Sequence, residues 1–422
     1  MMAAGIGLLV LPLFYAGLMG WLRGGWLAQQ NLARGFSILL KKEPVASAEG
    51  LKQKLATSLF SVLERGLAGE VSLKSPERDF ASSDEPLLFS VLIAARDEAI
   101  TLPQLLRDLA AQTLSAARFE VLIADDHSVD ATAALITAAA QESGFSLRLI
   151  SLPTAQTGKK SALLAALQAA QAPWLVCTDA DCRVGPGWLA AYAARLAQSP
   201  QANFISGPVL LTGPATFQQL LVGLEFAGLV GVGAACIARQ QPTMCNGANL
   251  AYRRTAFEAV GGFLDNVHVA SGDDEFLLHK IHAAFPGSVH FLADSAAIVR
   301  TAAPPTLPAL LRQRVRWASK WRHYQSAAPR QLALLVLGAN VALAAGAGAG
   351  LFYPNLWPWV LAAWGIKLGA DAWFLGPVLA FFGQRQWLWG LLPLQVLYAP
   401  YALAVGTAGW RGGYQWKGRA VR

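Results

Sequence analysis

Apolar residues concentrate at the two ends of the chain. Positions 3–22 run AAGIGLLVLPLFYAGLMGWL without a charge, long enough as a helix to cross a bilayer. No basic segment precedes this run and no small-residue cleavage site follows it, so it reads as a retained anchor rather than a signal peptide. Three more spans are expected at roughly 331–352, 356–382 and 388–409. The second contains Lys367 and Asp371, one helical turn apart, where each can neutralise the other inside a bundle. A fourth apolar stretch, 220–238, is interrupted by Glu225. A crossing there would divide the polar centre of the chain between two membrane faces, so it is expected to lie on the membrane or pack against the spans.

Between the ends the pattern changes. Continuous apolar runs of strand length, at 89–96, 119–126, 147–152 and 174–181, alternate with helical segments from Thr101, over 128–141 with Ser128 as a cap, and over 158–170. Such alternation predicts a mainly parallel α/β sheet in a domain over 85–325. Segment 24–84 is read as a linker, with an interfacial helix at 51–69 whose apolar positions repeat at helical spacing opposite Lys and Arg. The resulting order is a transmembrane anchor (1–23), the linker, the α/β domain, three membrane helices (326–410) and a basic tail (411–422).

Composition narrows the class. Of 422 residues 54% are hydrophobic and only 14% charged, against about 25% charged in an ordinary soluble domain. An all-soluble protein, a disordered chain and a disulfide scaffold are excluded. The four cysteines, Cys177, Cys182, Cys236 and Cys245, form no CxxC pair and read as packed or free thiols. His268, His279, His282 and His290 lack the spacing of a zinc site. The net charge of +8 reads as basic flanks facing anionic lipid, with no nucleic acid involved. Arg and Lys at 312–330 place the α/β domain in the cytoplasm by the positive-inside rule, leaving the first residues outside. The basic tail conflicts with four crossings, and Pro393 and Pro400 make the last span the one expected to be re-entrant.

Acidic residues gather where chemistry is expected. Ligands of parallel α/β sheets sit beyond the carboxyl ends of the strands. Asp97 and Glu98, Asp125 and Asp126, and Asp179 and Asp181 fall there. Carboxylates converging on one rim repel unless a cation and hydrogen-bond donors satisfy them. Asp179-Ala180-Asp181 suits a hard divalent cation with oxygen ligands, which can hold a diphosphate leaving group.

These motifs, in this order, resemble the membrane-bound family 2 glycosyltransferases with the GT-A fold, over about residues 89–324. AARDE (94–98) is similar to the family's first nucleotide-contacting strand end, with Asp97 where Asn is usual, and implies nucleotide-sugar contacts from Ala94, Arg96 and Glu98. ADDHSVD (124–130) resembles DDxSxD, implying a base contact from Asp126, with His127 where Gly is common. GKKSAL (158–163) looks like GKxxAL, implying Lys159 near the diphosphate. TDAD (178–181) matches DxD, implying Asp179 beside the donor and Asp181 as ligand of Mg²⁺ or Mn²⁺. NGANLAYRR (246–254), SGDDEFLL (271–278) and QRVRW (313–317) resemble the acceptor loop, GDDxxL and QxxRW. They imply Asp274 as general base, and Asp273, Asn249, Gln313, Arg316 and Trp317 on the acceptor side or closing on the diphosphate. The resemblance implies inverting transfer from a nucleotide-sugar, usually a UDP-sugar, to a lipid or glycan. Few spans are available for a polymer conduit, which favours a single transfer to a lipid over a processive polysaccharide synthase. A membrane nucleotidyltransferase would share the sheet without needing QRVRW or an acceptor base. A transporter would be expected to show repeated spans.

Overall fold

The computed structural model describes residues 2–42, 85–264, 272–319, 327–411, 414–416 and 419–421. The expected interfacial helix at 51–69, with His268, Lys320 and Arg322, lies outside them. The first helix, α1 (Met2–Lys42), does not stop at residue 23 but continues for 41 residues. Beyond the apolar run, Trp26 is fully buried and Gln29 nearly so, so the segment assigned to a linker begins as the docked half of this helix.

Strands β1 (Phe89–Ala95), β2 (Phe119–Asp125), β3 (Ser146–Ser151) and β4 (Trp174–Asp179) are parallel, as their alternation with helices requires. Helices α2 (Leu102–Ala110), α3 (Thr132–Glu142) and α4 (Lys159–Ala169) connect them. Helix α5 (Trp188–Gln198) follows, then β5 (Phe204–Ser206), β6 (Val209–Thr212) and the apolar α6 (Phe217–Ala238). The domain is completed by β7 (Leu250–Arg253), α7 (Arg254–Ala259), α8 (Asp273–Ala284), β8 (Val289–Phe291), β9 (Val299–Ala302) and α9 (Leu307–Ala318). The main sheet has the order β3-β2-β1-β4-β7-β5-β8, and β7 runs antiparallel to both of its neighbours. Strands β6 and β9 pair separately.

The pleat sends alternate residues of β1 into two cores. Phe89, Val91 and Ile93 join Trp188 and Tyr192 of α5 on one face. Leu92 joins residues of α4, α6 and α1 on the other, continuous with α11 (Trp357–Phe381). The α/β sheet and the long apolar helices thus share one core. Where α1 crosses α6, a Cβ on Gly25 would come within 2.5 Å of the Ala235 carbonyl oxygen, so the two backbones touch. Trp26 packs edge-on to Phe381 and against Phe291 of β8.

Helices α10 (Ala328–Phe352) and α12 (Leu391–Arg411) flank α11, and β10 (Tyr414–Trp416) pairs with β11 (Arg419–Val421). Helix α12 continues through Pro400. Among the described residues four helices are long and apolar enough to cross a membrane: Gly5–Ala33, Phe217–Ala238, Ala328–Phe352 and Arg385–Gly409. The set includes α6, which packs against α1 and the sheet. It omits α11, whose Lys367 and Asp371 lower its hydropathy. Those two pair at 2.7 Å as their spacing predicts. The Tyr15 hydroxyl of α1 donates to Asp371 at 2.6 Å, and the Lys367 ammonium stands 4.7 Å from the Tyr15 ring centre.

Candidate active site

The register aligns the acidic motifs before any side chain is placed. Ala94 pairs with Ala124 on one side and Asp179 on the other, and Ala95 pairs with Asp125. The loops after β1, β2 and β4 therefore leave the sheet at one level. The first two are sewn together. Arg96 donates to the Asp126 carbonyl at 2.5 Å, the Asp97 amide donates to Ser128 Oγ at 2.9 Å, and Val129 N–H donates back to Asp97 Oδ1 at 2.8 Å. The Glu98 amide donates to Thr132 Oγ1 at 2.8 Å. Ser128 does not cap α3, which starts at Thr132. Its hydroxyl instead donates to Asp125 Oδ1.

The two departures from the family pattern share a conformation. Asp97 and His127 have φ of 53° and 55°, in the left-handed region where Asn, Asp and His are the tolerated non-glycine residues. Asp can therefore stand for Asn at 97, and His for Gly at 127.

Asp126 is almost fully buried, and its Oδ2 accepts from the Gly158 amide at 3.0 Å. That contact fixes the entry to α4 and aims Lys159 across the rim. Lys159 Nζ donates to Asp179 Oδ1 at 2.5 Å. Asp274 in the first turn of α8 accepts from the Gly247 amide at 2.8 Å through Oδ2 and from the Glu275 amide at 2.9 Å through Oδ1. A Cβ on Gly247 would lie 3.4 Å from both Asp274 Oδ2 and Lys159 Nζ, so the lysine, the DxD motif and the GDD motif meet around this glycine. Burial by itself would lower the Lys159 pKa. The carboxylates of Asp179, Asp273 and Asp274 outweigh it and hold the ammonium above its ordinary value. Burial pushes the Asp273 carboxyl up, against the pull of Lys159.

Among the described residues, the one group with ligand atoms close enough for a metal is Asp179, Asp181 and Cys182, all within 4.8 Å of one another. Burial, reinforced by both carboxylates, pushes the Cys182 thiol well up, and sulfur is the softer, less suited donor for a hard cation. The two remaining oxygen donors fit a hard cation. All four cysteines are free. His279 and His290 are both pushed down to about 4 by burial and so are neutral. His290 faces Arg195 at 3.2 Å.

One assigned residue belongs elsewhere. Asn249 is fully buried and satisfied four ways. Its Nδ2 donates to the Pro208 and Ala297 carbonyls at 2.8 Å each, and its Oδ1 accepts from Trp188 Nε1 and Tyr192 Oη at 2.9 and 2.8 Å. Nothing of the side chain is left for an acceptor or a diphosphate, and Asn249 is a junction of the fold.

The QxxRW segment lies on α9. Arg314, between its named positions, is the buried member. It donates to Glu225 of α6 at 2.7 Å and to Gln313 at 2.9 Å. Its guanidinium stands 4.3 Å from the Trp317 ring centre. Trp317 also packs on Phe226. Tyr401 of α12 donates to the second Glu225 oxygen at 3.0 Å. Sequence reasoning missed Arg314, Glu225 and Tyr401 as a unit. The signal was a lone glutamate in an apolar helix, which demands a partner.

Residues 90–261 match the model of glycosyl transferase family 2. Within those residues the chain is similar to family 2 glycosyltransferases. Over 112 residues it is 33% identical to the undecaprenyl-phosphate 4-deoxy-4-formamido-L-arabinose transferase of Pseudomonas aeruginosa, covering 26% of this chain and 33% of the relative. The chain thus spans about a third of the length of the curated relatives it matches. Among solved structures it is similar to the mannosyltransferase PcManGT from Pyrobaculum calidifontis in complex with GDP-Man and Mn²⁺. That likeness has 20% identity and a TM-score of 0.48, over 92% of this chain and 99% of the other. S. aureus TarS 1-349 in complex with UDP-GlcNAc aligns over 79% of this chain and 96% of its own, at 15% identity and a TM-score of 0.41. The matched region includes the four motifs from AARDE to TDAD and the loop at Gly247. Asp274 and α9 lie beyond it in sequence, and the fold returns Asp274 to it through Gly247.

Proposed function

We propose that the protein is an inverting glycosyltransferase that moves a sugar from a nucleotide-diphospho-sugar, with UDP the prior carrier, to a membrane lipid. The observation that carries this reading is Gly247, around which Lys159, bonded to the DxD motif, and Asp274 meet. Ala94, Arg96, Glu98 and Asp126 form the nucleotide side of the rim. Asp181 with Asp179 would hold Mg²⁺ or Mn²⁺, which supplies positive charge against a departing diphosphate. Lys159 adds a second positive charge there and exchanges its Asp179 contact for phosphate oxygen. Asp274, oriented by two backbone amides, accepts the proton of the attacking hydroxyl. A base facing the sugar opposite its leaving group gives direct displacement, hence inversion. Asp273 steadies Lys159, while Gln313, Arg316 and Trp317 close the acceptor side on a helix fixed through Arg314.

A lipid acceptor is supported by the core shared between sheet and apolar helices and by the relative named for undecaprenyl phosphate. The positive-inside pattern puts the catalytic domain in the cytoplasm. The test uses the full chain in lipid nanodiscs, a panel of nucleotide-sugars with Mg²⁺ or Mn²⁺, and either total lipid extract or polyprenyl phosphate. One donor should label a lipid. Asp274→Asn should lose the product and keep donor binding, whereas Asp181→Ala should lose metal-dependent binding. A long polymer in place of labelled lipid would transfer the reading to a processive synthase. Absence of any nucleotide-sugar binding would refute it.

A further inference from the structure

A cavity lies away from the rim, between α1, the start of α10 and the loop leaving α6. It has a volume of about 830 Å³, within the range of ligand pockets of roughly 300–1,000 Å³. Leu13, Gly17 and Trp21 of α1 and Leu332 of α10 form apolar walls, and Gln241 and Thr243 a polar end. Thr243 is 3% exposed, and its hydroxyl, which has no nitrogen or oxygen partner, meets the Cys236 thiol. The Cys236 thiol lines the same end. Against the lining residue Trp21, the Arg239 guanidinium stands 5.5 Å from the ring centre and donates to the Trp21 carbonyl at 3.0 Å. A fixed positive charge therefore lies against one wall residue of the cavity.

The polar end leads to the base. Thr243 and Gly247 are four residues apart, so their backbones are separated by no more than about 14 Å. Gly247 holds Asp274 through its amide at 2.8 Å. We propose that this groove seats the hydrocarbon chain of the acceptor lipid, with its polar end laid along residues 243–247 so that the accepting oxygen reaches Asp274. The assignment rests on the lipid-acceptor reading and adds where the chain lies. Apolar walls on two membrane-length helices select a long hydrocarbon. The Thr243 hydroxyl and the Arg239 guanidinium select a polar, anionic-tolerant head at one end.

Gly17 offers a clean test. A Cβ there meets nothing within 4 Å, so Gly17→Trp fills the groove without a backbone clash. Gly7 on the same helix is equally open but does not line the cavity, and Gly7→Trp is the control. In nanodiscs of phosphatidylethanolamine and phosphatidylglycerol, a polyprenyl phosphate with a diazirine in its chain should cross-link to residues 10–21. The cross-link should disappear in Gly17→Trp, persist in Gly7→Trp, and compete with unlabelled polyprenyl phosphate but not with bulk phospholipid. In turnover, Gly17→Trp should raise the lipid-acceptor KM at least tenfold while donor binding and thermal midpoint stay unchanged. Competition by bulk phospholipid, or equal cross-linking in both variants, overturns the groove assignment. Specific cross-linking without any sugar transfer by the unaltered chain supports the groove and instead refutes the transferase reading.

Discussion

The joint between α6, α9 and α12 can be tested in isolation from chemistry. The Arg314 and Glu225 side chains are 4% and 12% exposed and meet at 2.7 Å. Removing one partner of such a pair leaves a buried charge and costs about 3–5 kcal/mol, whereas replacing both with apolar groups is often near neutral. Unfolding entropy is about 2.1 cal/mol/K per residue. For 422 residues this sums to about 0.9 kcal/mol/K, so a loss of 4 kcal/mol lowers the midpoint by about 4–5 °C. Glu225→Leu and Arg314→Leu should each show a fall of that size in detergent-solubilised protein followed by intrinsic fluorescence. The double variant should fall by clearly less than the two combined, with a coupling of about 2 kcal/mol. Arg314→Leu should also loosen Trp317, which loses its guanidinium partner, and raise the acceptor KM more than it lowers kcat. Additive midpoint shifts, or single variants within 1 °C of the parent (an arbitrary bound of about a quarter of the expected shift), would show that the pair does not hold this joint.

Asn249→Ala should be a folding defect rather than a catalytic one. It orphans the Trp188 and Tyr192 donors and two carbonyls, each worth about 1–3 kcal/mol when buried unpaired. Reduced folded yield with an unchanged donor KM in the surviving fraction is the expected result, and a normal midpoint with a raised KM would contradict it. Stability should also fall in acid through His279, held down at about 4 by burial and then by His282. Its folded pKa lies below its unfolded value near 6.5, so the unfolded chain binds the extra proton between those values. The contribution is complete above about pH 7 and is lost as pH falls towards 4. At about 1.4 kcal/mol per unit it is bounded at about 3 kcal/mol, less for a partly solvated ring. Midpoints measured from pH 7.5 to 4.5 should decline, and more gently in His279→Gln; parallel curves would exclude this residue as a source.

The parallel half of the sheet was legible because its signals are local. Each of the strands β1 to β4 is a short apolar run bounded by its own helix, and parallel pairing follows from the connections. The order of DxD, GDD and QxxRW motifs pointed to the chemistry for the same reason, since each motif spans a few residues. The pairing of Lys367 with Asp371 was legible as well, because one helical turn fixes that distance.

Tertiary structure decided what depends on residues far apart in the chain. A short run such as 250–253 carries no periodicity that could announce an antiparallel strand between β4 and β5. Asn249 looked like a ligand-binding residue within a motif, and only the convergence of α5 with two loop carbonyls revealed a structural junction. Glu225 and Arg314 are 89 residues apart, and only the glutamate looked anomalous alone. Helix α1 ended in the sequence where its apolar run ended. The folded chain extends it, because Trp26 finds partners on β8 and α11 that no local pattern encodes. Sequence by itself set the local elements and the types of chemical group available. Packing set which of those groups share a rim, since burial and hydrogen-bond satisfaction are properties of the assembled core and not of any window along the chain.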